Sequence, residues 1–594
     1  MHSRWLINRT NPDYVRYLSK AASISPVFAQ VLINRGLKTV SDINEFLYPS
    51  ITCFSDPFEL PAMKTAVARV KLALHRHERI LIHGDYDTDG LTATAIMLQA
   101  LRCIGIDASY FIPNRMLHGY GFNKPAVDMA KKLGAKLIIT VDCGINSFEA
   151  VSCANASGID VIITDHHEPL NTVGLGSRVM GHGVEELAAC PLPLAPVFKV
   201  PDAIAVINPK LETHNSKLSN LSGAGVAFKF AEALAMEGGL PYSRDDVIPL
   251  LDLAALGTMA DVVPLKGENR IIVKEGLKFI QAGSRSGIRA LKEVSGLNGK
   301  ETRAGRLSYT IVPRINAAGR ISDSQDVVEL LISESEEESL KLSLWLENLN
   351  RKRQEIEGEV YQEALERLRE TDVPPAIVLA GEGWHQGVLG IVASRIAEEF
   401  YRPAFIFSLE NGIAKGSARS IPSFDICKGL AESGDLLLSF GGHKQAAGIK
   451  LKSEDLPAFA DAISGIVKGC INEYEMQPVL EIDANVALSE VTPELVQEFS
   501  LLEPFGFENP EPLTGAKGLE VVSPRIVGNK HLKLRLKKKS VSLDAIGFDM
   551  AGLLEELQAS PGADAVFTPA FNDWNNNRYL QLIVKAIRPG QLSE

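Results

Sequence analysis

The stretch RILIHGDYDTDGLTATAIMLQALRCIG (79–105) decides how the first half of the chain is read. Its opening apolar run has the length of a strand. The turn after it carries His83, Asp85, Asp87 and Asp89, and an apolar helical run follows. The pattern then recurs. KLIITVDCG (136–144) is a strand ending at Asp142, and DVIITDHH (160–167) is a strand ending at Asp165, His166 and His167. Strand-like and helical runs alternate from Arg79 to about residue 330, which predicts a parallel α/β sheet. In such a sheet the carboxyl ends of neighbouring strands share one crevice, where ligands bind. Three acid or imidazole clusters therefore converge on one place.

Clustered carboxylates repel one another and are costly to desolvate unless a positive charge sits among them. A divalent cation removes that cost, and this many donors suit two ions a few ångströms apart. Mixed imidazole and carboxylate donors favour Mn²⁺, Fe²⁺, Co²⁺ or Zn²⁺ over all-oxygen sites. With oxygen donors dominant and no cysteine spacing, Mn²⁺ is the first expectation and Mg²⁺ the second. Such a pair activates water and neutralises a phosphoryl group under in-line attack, so phosphoester hydrolysis is the expected chemistry. A single D-x-D or His pair is usually a solvated turn. Three at consecutive strand ends are not.

Composition narrows the alternatives. The chain has 594 residues, 45% of them hydrophobic and 23% charged, as in ordinary globular proteins of several domains. No apolar run approaches a membrane span, and MHSRWLINRT lacks the core of a secretory signal. Seven cysteines (53, 103, 143, 153, 190, 427 and 470) form no C-x-x-C pair. Secreted, transmembrane and zinc-finger readings are poor, and the cytoplasm is expected. A net charge of −12 argues against a surface basic all over, but leaves room for local basic patches.

Five regions follow from the pattern. Residues 1–75 read as a helical lead-in, 76–333 as the α/β domain with the acidic clusters, and 334–370 as a long charged connecting helix. Residues 371–470 read as a second, smaller α/β domain, and 471–594 as short strands of a small β-barrel. A Gly/Pro-containing stretch at 169–201 reads as an extended loop inserted in the first domain.

At these residues the chain resembles the DHH phosphoesterase superfamily, whose triplet stands here as Asp165-His166-His167. HGDYDTDG (83–90), VDCG (141–144) and DLAALGTMADVVPL (252–265) look like further motifs of that family. VPRINAAGRI (312–321), GWHQGVLGIVASRI (383–396), GSARS (416–420) and SFGGHKQAAG (439–448) resemble its single-strand-specific 5′→3′ exonuclease branch. The resemblance spans nearly the whole chain. It implies a DHH domain, a DHH-associated domain and a C-terminal OB-fold barrel. It also implies a binuclear site with Asp87, Asp89, Asp142, His166 and Asp261 as main ligands and Asp142 as the bridge. Asp261, rather than Asp252, matches the family's fourth motif. His83 matches a ligand position of relatives with the fuller H-x-x-x-D-x-D pattern, and Asp85 and His167 are candidates in or just behind the ligand shell.

An exonuclease must also hold its strand. By resemblance, Arg115, Ser417 and Arg419 form a pocket for a 5′-phosphate, which guanidinium forks suit. Arg314, Asn316 and Arg320 lie in a segment with few acidic neighbours and could contact phosphate near the metals. Gly441, Gly442 and His443 would let backbone amides reach DNA, although G-G-H alone is more often a turn. In RIVGNKHLKLRLKKK (525–539), strand alternation sets Lys533, Arg535 and Lys537 opposite Leu532, Leu534 and Leu536. With Trp574 and other aromatics nearby, this is how OB-folds hold single strands.

The leading expectation is a two-metal exonuclease releasing 5′-mononucleotides from single-stranded DNA in repair and recombination. The family further implies a monomer that works beside a single-strand-binding protein and a helicase. Small-substrate DHH phosphodiesterases share the metal site, but would leave the connecting helix and basic barrel idle. A degenerate scaffold that binds without cutting conflicts with the metal-type residues kept at every motif.

Overall fold

The computed structural model describes residues 3–592 except 116, 172–197, 212–214, 370–371 and 575–576. Two compact units divide it: Tyr48–Asn350 with Pro504–Pro510, and Met1–Leu47 with Arg351–Glu503 and Glu511–Glu594.

The first unit is built on a five-stranded parallel sheet. Its strands are β1 (Ile80–His83), β2 (Ser109–Phe111), β3 (Leu137–Val141), β4 (Asp160–Thr164) and β5 (Ala205–Ile207). Their order is β2-β1-β3-β4-β5, with Ile80 beside Leu137 and Leu137 beside Asp160. β1 and β3 are buried along their whole length, as the apolar runs of a sheet covered on both faces require. The chain runs from β1 to one side and returns to the other at β3. This is the switch point at which open α/β sheets leave a crevice above their carboxyl ends. The DYDTD turn follows β1, and Asp142 follows β3.

Four helices pack around the crevice: α1 (Thr88–Cys103), α2 (Gly223–Met236), α3 (Leu251–Ala260) and α4 (Ala304–Ile321); α5 (Glu336–Arg369) follows them in the chain. α1 is buried from Thr88 to Leu98 and packs on α2 and α3. Their contact is close because small residues meet there: a Cβ on Gly257 would lie 2.5 Å from Ala224 Cβ and from Asp89 Oδ1. The long charged run forms α5, one uninterrupted helix.

The second unit holds a five-stranded mixed sheet in the order 439–443, 446–452, 413–419, 404–410, 377–382. Beyond it, the strands Thr514–Val527, His531–Lys538, Val541–Gly547, Asn577–Gly590 and Gly562–Trp574 pair in sequence. The first and last also pair, which closes a barrel. The fold is thus α/β: a parallel-sheet domain, a long helix, a smaller α/β domain and a closed small β-barrel.

The 1–75 lead-in is not wholly helical. Arg4–Ile7 is a strand that pairs in parallel with Val479–Ile482. A four-residue strand whose partner lies so far along the chain leaves no local periodicity to read. Most of the 169–201 insertion lies outside the described residues, although Leu170–Asn171 and Phe198–Lys199 at its edges pair antiparallel. Among the described residues no helix is long and apolar enough to cross a membrane.

Candidate metal centre

Each acidic side chain is placed by a short-range backbone device. Asp87 caps α1, its Oδ1 accepting from Asp89 N (3.0 Å) and Gly90 N (3.1 Å). Asp89 points from the first turn of α1 to the start of α2. There Gly223 N donates to Oδ2 at 2.6 Å and Ala224 N donates to Oδ1 at 2.9 Å. These are two of the amide groups that a helix start leaves without intrahelical partners, and the helix dipole there favours an anion. Asp142, at the end of β3, adopts φ 61°, in the left-handed region. A Cβ on Gly223 would lie 2.5 Å from its Oδ1, so only glycine lets α2 approach. Asp261 caps the carboxyl end of α3. Asp252, nine residues before Asp261, is instead buried in an ion pair with Arg285 at 2.8 Å.

These devices bring side chains from four elements together around His166. Its Nε2 lies 3.1 Å from Asp142 Oδ1, 3.5 Å from Asp261 Oδ2 and 3.9 Å from Asp89 Oδ2. The ligand-type atoms form three tight groups: Asp89 with His166 and Asp261, Asp85 with Asp87 and Asp142, and Asp142 with His166 and His167. The first two groups share no residue, and Asp142 stands between them by its contact with His166. His83 belongs to none of these groups. It is fully buried between Phe111 and Phe122, and burial lowers its pKa to about 4, leaving a neutral imidazole.

Asp165 has a different task from the other carboxylates. Its oxygens accept from the backbone of Ile145 (2.8 Å), His166 (2.7 Å) and His167 (3.0 Å), and from His167 Nδ1 (2.7 Å). Burial works against its charge, but the His167 hydrogen bond and charge outweigh it and hold the carboxyl below the usual range. Burial likewise opposes protonation of His167, yet Asp165 raises that imidazole to about 9. The Tyr120 hydroxyl lies 3.1 Å from His167 Nε2. Asp165 and Tyr120 were not among the expected site residues. The triplet's first letter was in view for Asp165, but nothing in the sequence signals Tyr120 beyond its place in GYG.

The other carboxylates are pushed the opposite way. Burial, followed by the charge of Asp87, raises Asp89 to about 7 and lifts Asp85 well above its ordinary value. Burial and then Asp89 and Asp87 do the same to Asp142 and Asp261. Asp85 Oδ1, Asp142 Oδ1 and Asp261 Oδ2 are buried and form no hydrogen bond with the described residues. Buried acceptors left in this state cost free energy that a cation would recover. The donor set therefore fits divalent metal.

The remaining expected residues fall at different places. Asn316 Oδ1 accepts from both Thr88 N (2.9 Å) and Thr88 Oγ1 (2.8 Å), so this side chain braces the acidic turn from α4. Arg314 is ion-paired with Glu347, and Arg320 acts electrostatically on Tyr86. The Arg115 guanidinium carbon lies 5.4 Å from the Tyr86 ring centroid, and its charge offsets part of the rise at Asp85. In the second unit, Ser417 and Arg419 share one face of a strand. A Cβ on Gly390 would meet Ser417 Oγ at 3.1 Å and Arg419 Nη2 at 3.2 Å. Gly441, Gly442 and His443 form a fully exposed edge strand, with Gly442 at φ 152°. On the barrel, Leu532, Leu534 and Leu536 are buried, while Arg535 pairs with Asp544 (2.6 Å) and Lys537 with Glu520 (2.9 Å). Lys533 has no carboxylate partner among the described residues. The side chain of Trp574 lies outside them.

Family models match three segments: the DHH family N-terminal domain over residues 79–179, the DHHA1 domain over 354–469 and the RecJ OB domain over 482–586. The chain is 38% identical to the single-stranded-DNA-specific exonuclease RecJ of Bacillus subtilis, over 98% of this chain and 70% of that protein. It is 34% identical to the Escherichia coli protein of the same name, over 96% of each chain. The crystal structure of Thermus thermophilus RecJ with Mn²⁺ superposes with a TM-score of 0.82 at 30% identity, covering 99% of this chain and 80% of that one. The same protein with Mg²⁺ gives 0.76 at 30% identity, over 100% and 79%.

Proposed function

This chain belongs to the RecJ family of single-stranded-DNA-specific exonucleases, and from that membership we propose that it removes mononucleotides from the 5′ end of a single strand with two divalent ions. It is a phosphodiester hydrolase acting on single-stranded DNA, and it works with divalent metal. Polarity, product and ion count are the proposal. The observation that carries it is the pair of ligand groups without a common residue, Asp89–His166–Asp261 and Asp85–Asp87–Asp142, on either side of the Asp142–His166 contact.

We assign Asp87, Asp89, Asp142, His166 and Asp261 as principal ligands, with Asp85 beside them and the neutral His83 as the further donor that the motif spacing offers. Ions held there supply Lewis-acid activation of water and neutralise charge at phosphorus. Mn²⁺ is preferred because imidazole stands among the oxygen donors. The chain's own residues do the rest. The α2 amides fix Asp89, Asp165 fixes the backbone and imidazole of the His166-His167 pair, and Asn316 holds the acidic turn. A locked surround of this kind keeps donors where developing charge will need them.

The assignment of Arg115, Ser417 and Arg419 to a 5′-phosphate rests on family resemblance and on the suitability of guanidinium groups for phosphate; within the second unit, Gly390 leaves room beside Ser417 and Arg419. Arg314, Arg320, Gly441, Gly442 and His443 are assigned to the strand's backbone. Lys533, Arg535, Lys537 and Trp574 are assigned to a binding face of the barrel. A monomeric cytoplasmic enzyme of repair and recombination, working beside a single-strand-binding protein and a helicase, completes the reading on family grounds alone.

The test uses strands labelled at either end, with Mn²⁺, Mg²⁺ or EDTA. Metal-dependent release of mononucleotides from the 5′ end, with duplex spared, is expected. Binding without cleavage in either metal would overturn it, and cleavage confined to very short oligomers would move the protein to the small-substrate branch.

A further inference from the structure

Val262 follows Asp261 directly and adopts φ 58°, in the left-handed region. That region is disfavoured for any residue with a Cβ and is an outlier for a β-branched one. The strain is not repaid by packing, since Val262 is 66% exposed. An exposed valine alone carries no meaning. A strained residue can serve merely to turn the chain, but glycine or asparagine would then make the same turn at lower cost. What calls for a reason is the valine side chain.

The segment around it is held on both sides. Asp261 N donates to Gly257 O at 3.0 Å, Leu265 N donates to Phe507 O at 3.0 Å, and Asn269 Nδ2 donates to Pro264 O at 3.1 Å. Pro264 further restricts Val263 to extended backbone. The isopropyl group is therefore presented to solvent in one place, next to a carboxylate whose oxygen is 3.5 Å from His166 Nε2. Strain kept at such a position points to function rather than to folding.

Resting on the reading of this centre as a single-strand phosphodiesterase, we propose that Val262 is a substrate-contact residue whose isopropyl group packs on the sugar–base face of the nucleotide at the scissile phosphate. A nucleotide there offers phosphate to the metal ligands, and beside the phosphate only the sugar carbons and base face suit an apolar side chain. Valine reads no hydrogen-bonding edge, so the contact is indifferent to sequence, as removal of successive nucleotides demands. Because the side chain is already fixed, little further ordering is needed on binding.

The test compares Val262→Gly and Val262→Ala with wild type in the full-length protein. The readouts are thermal stability, Mn²⁺ affinity by calorimetry, and kcat and KM on a short 5′-phosphorylated oligothymidylate. Affinity for the same strand is measured in Ca²⁺, which replaces Mn²⁺ to suppress turnover. Both variants should weaken strand affinity and raise KM about five- to ten-fold. Mn²⁺ affinity should hold, and Val262→Gly should raise Tm by relieving the strain. Unchanged strand affinity in both variants would overturn the assignment. Loss of Mn²⁺ affinity would also overturn it, since the residue would then act through Asp261. Failure of the wild type to cut single strands would defeat the exonuclease reading instead, and the affinity measurement keeps the two failures apart.

Discussion

A Cβ placed on Gly223 would lie 2.5 Å from Asp142 Oδ1, so the start of α2 presses on a carboxylate assigned as a principal metal ligand. The same two residues of α2, Gly223 and Ala224, donate their amides to Asp89. One helix start thus sets the positions of two carboxylates, one in the first turn of α1 and one just after β3. Gly223→Ala must displace Asp142, tilt α2 or both. A displacement of about 1 Å can cost roughly 100-fold in rate. Nuclease activity and Mn²⁺ affinity should fall together by about that factor, while circular dichroism stays that of the folded protein.

Asp165→Asn tests the brace behind the histidines. Asparagine keeps the shape but removes the charge that raises His167 to about 9 and one acceptor site for its Nδ1. Partners of this kind are worth about 10–100-fold in metal affinity or activity. Such a loss is expected, together with a lowered His167 pKa by NMR. An unchanged His167 titration would refute the assignment of Asp165.

The metal-free protein should respond to pH in a defined sense. Burial and Asp87 push Asp89 up to about 7, and Asp85, Asp142 and Asp261 shift the same way. A raised carboxyl favours the protonated folded state. Its stabilisation is fully present below an unfolded pKa of about 4 and is lost as pH rises through the folded value. In EDTA, Tm should therefore fall between pH 5 and pH 8. Mn²⁺ should restore it and release protons on binding, measured by calorimetry in buffers of different ionisation enthalpy.

Asn316→Ala removes the acceptor that serves both Thr88 N and Thr88 Oγ1. Leaving those donors without it costs about 1–3 kcal/mol. Lower stability by that amount and a reduced kcat are expected, because the turn that carries Asp87 and Asp89 loses its tie to α4.

On the barrel, Lys533→Ala should lower the salt dependence of single-strand binding by about 0.7 in the log–log slope. Arg535→Ala should change it less, since Asp544 already partners that guanidinium at 2.6 Å. Equal effects would mean that the Arg535–Asp544 pair opens on DNA.

The catalytic sheet was legible because its evidence is local. Ile80–His83, Leu137–Val141 and Asp160–Thr164 are short, mostly apolar runs that end at or lead directly into acidic or imidazole residues, and a parallel order brings such ends together. The OB strands were legible in the same way, from alternation at Leu532, Leu534 and Leu536. What escaped notice depends on partners far along the chain or on backbone dihedrals. The pairing of Arg4–Ile7 with Val479–Ile482, the support of Thr88 by Asn316 and the amide cradle around Asp89 leave no periodic trace. The left-handed backbone at Val262 occurs at a residue type that gives no warning of it. Asp165 was visible as a letter of the triplet, but its bonds to three backbone amides appear only in three dimensions.

The most direct measurement is the stoichiometry of Mn²⁺ binding, by calorimetry with elemental analysis, on the wild-type protein and on Asp142→Asn, with nuclease activity followed in the same samples. Two ions per chain in the wild type are expected, with activity appearing only as the second binds, and with both the second ion and cleavage lost in Asp142→Asn. One ion at full activity, or two ions and undiminished cleavage in Asp142→Asn, would contradict a binuclear centre that needs Asp142.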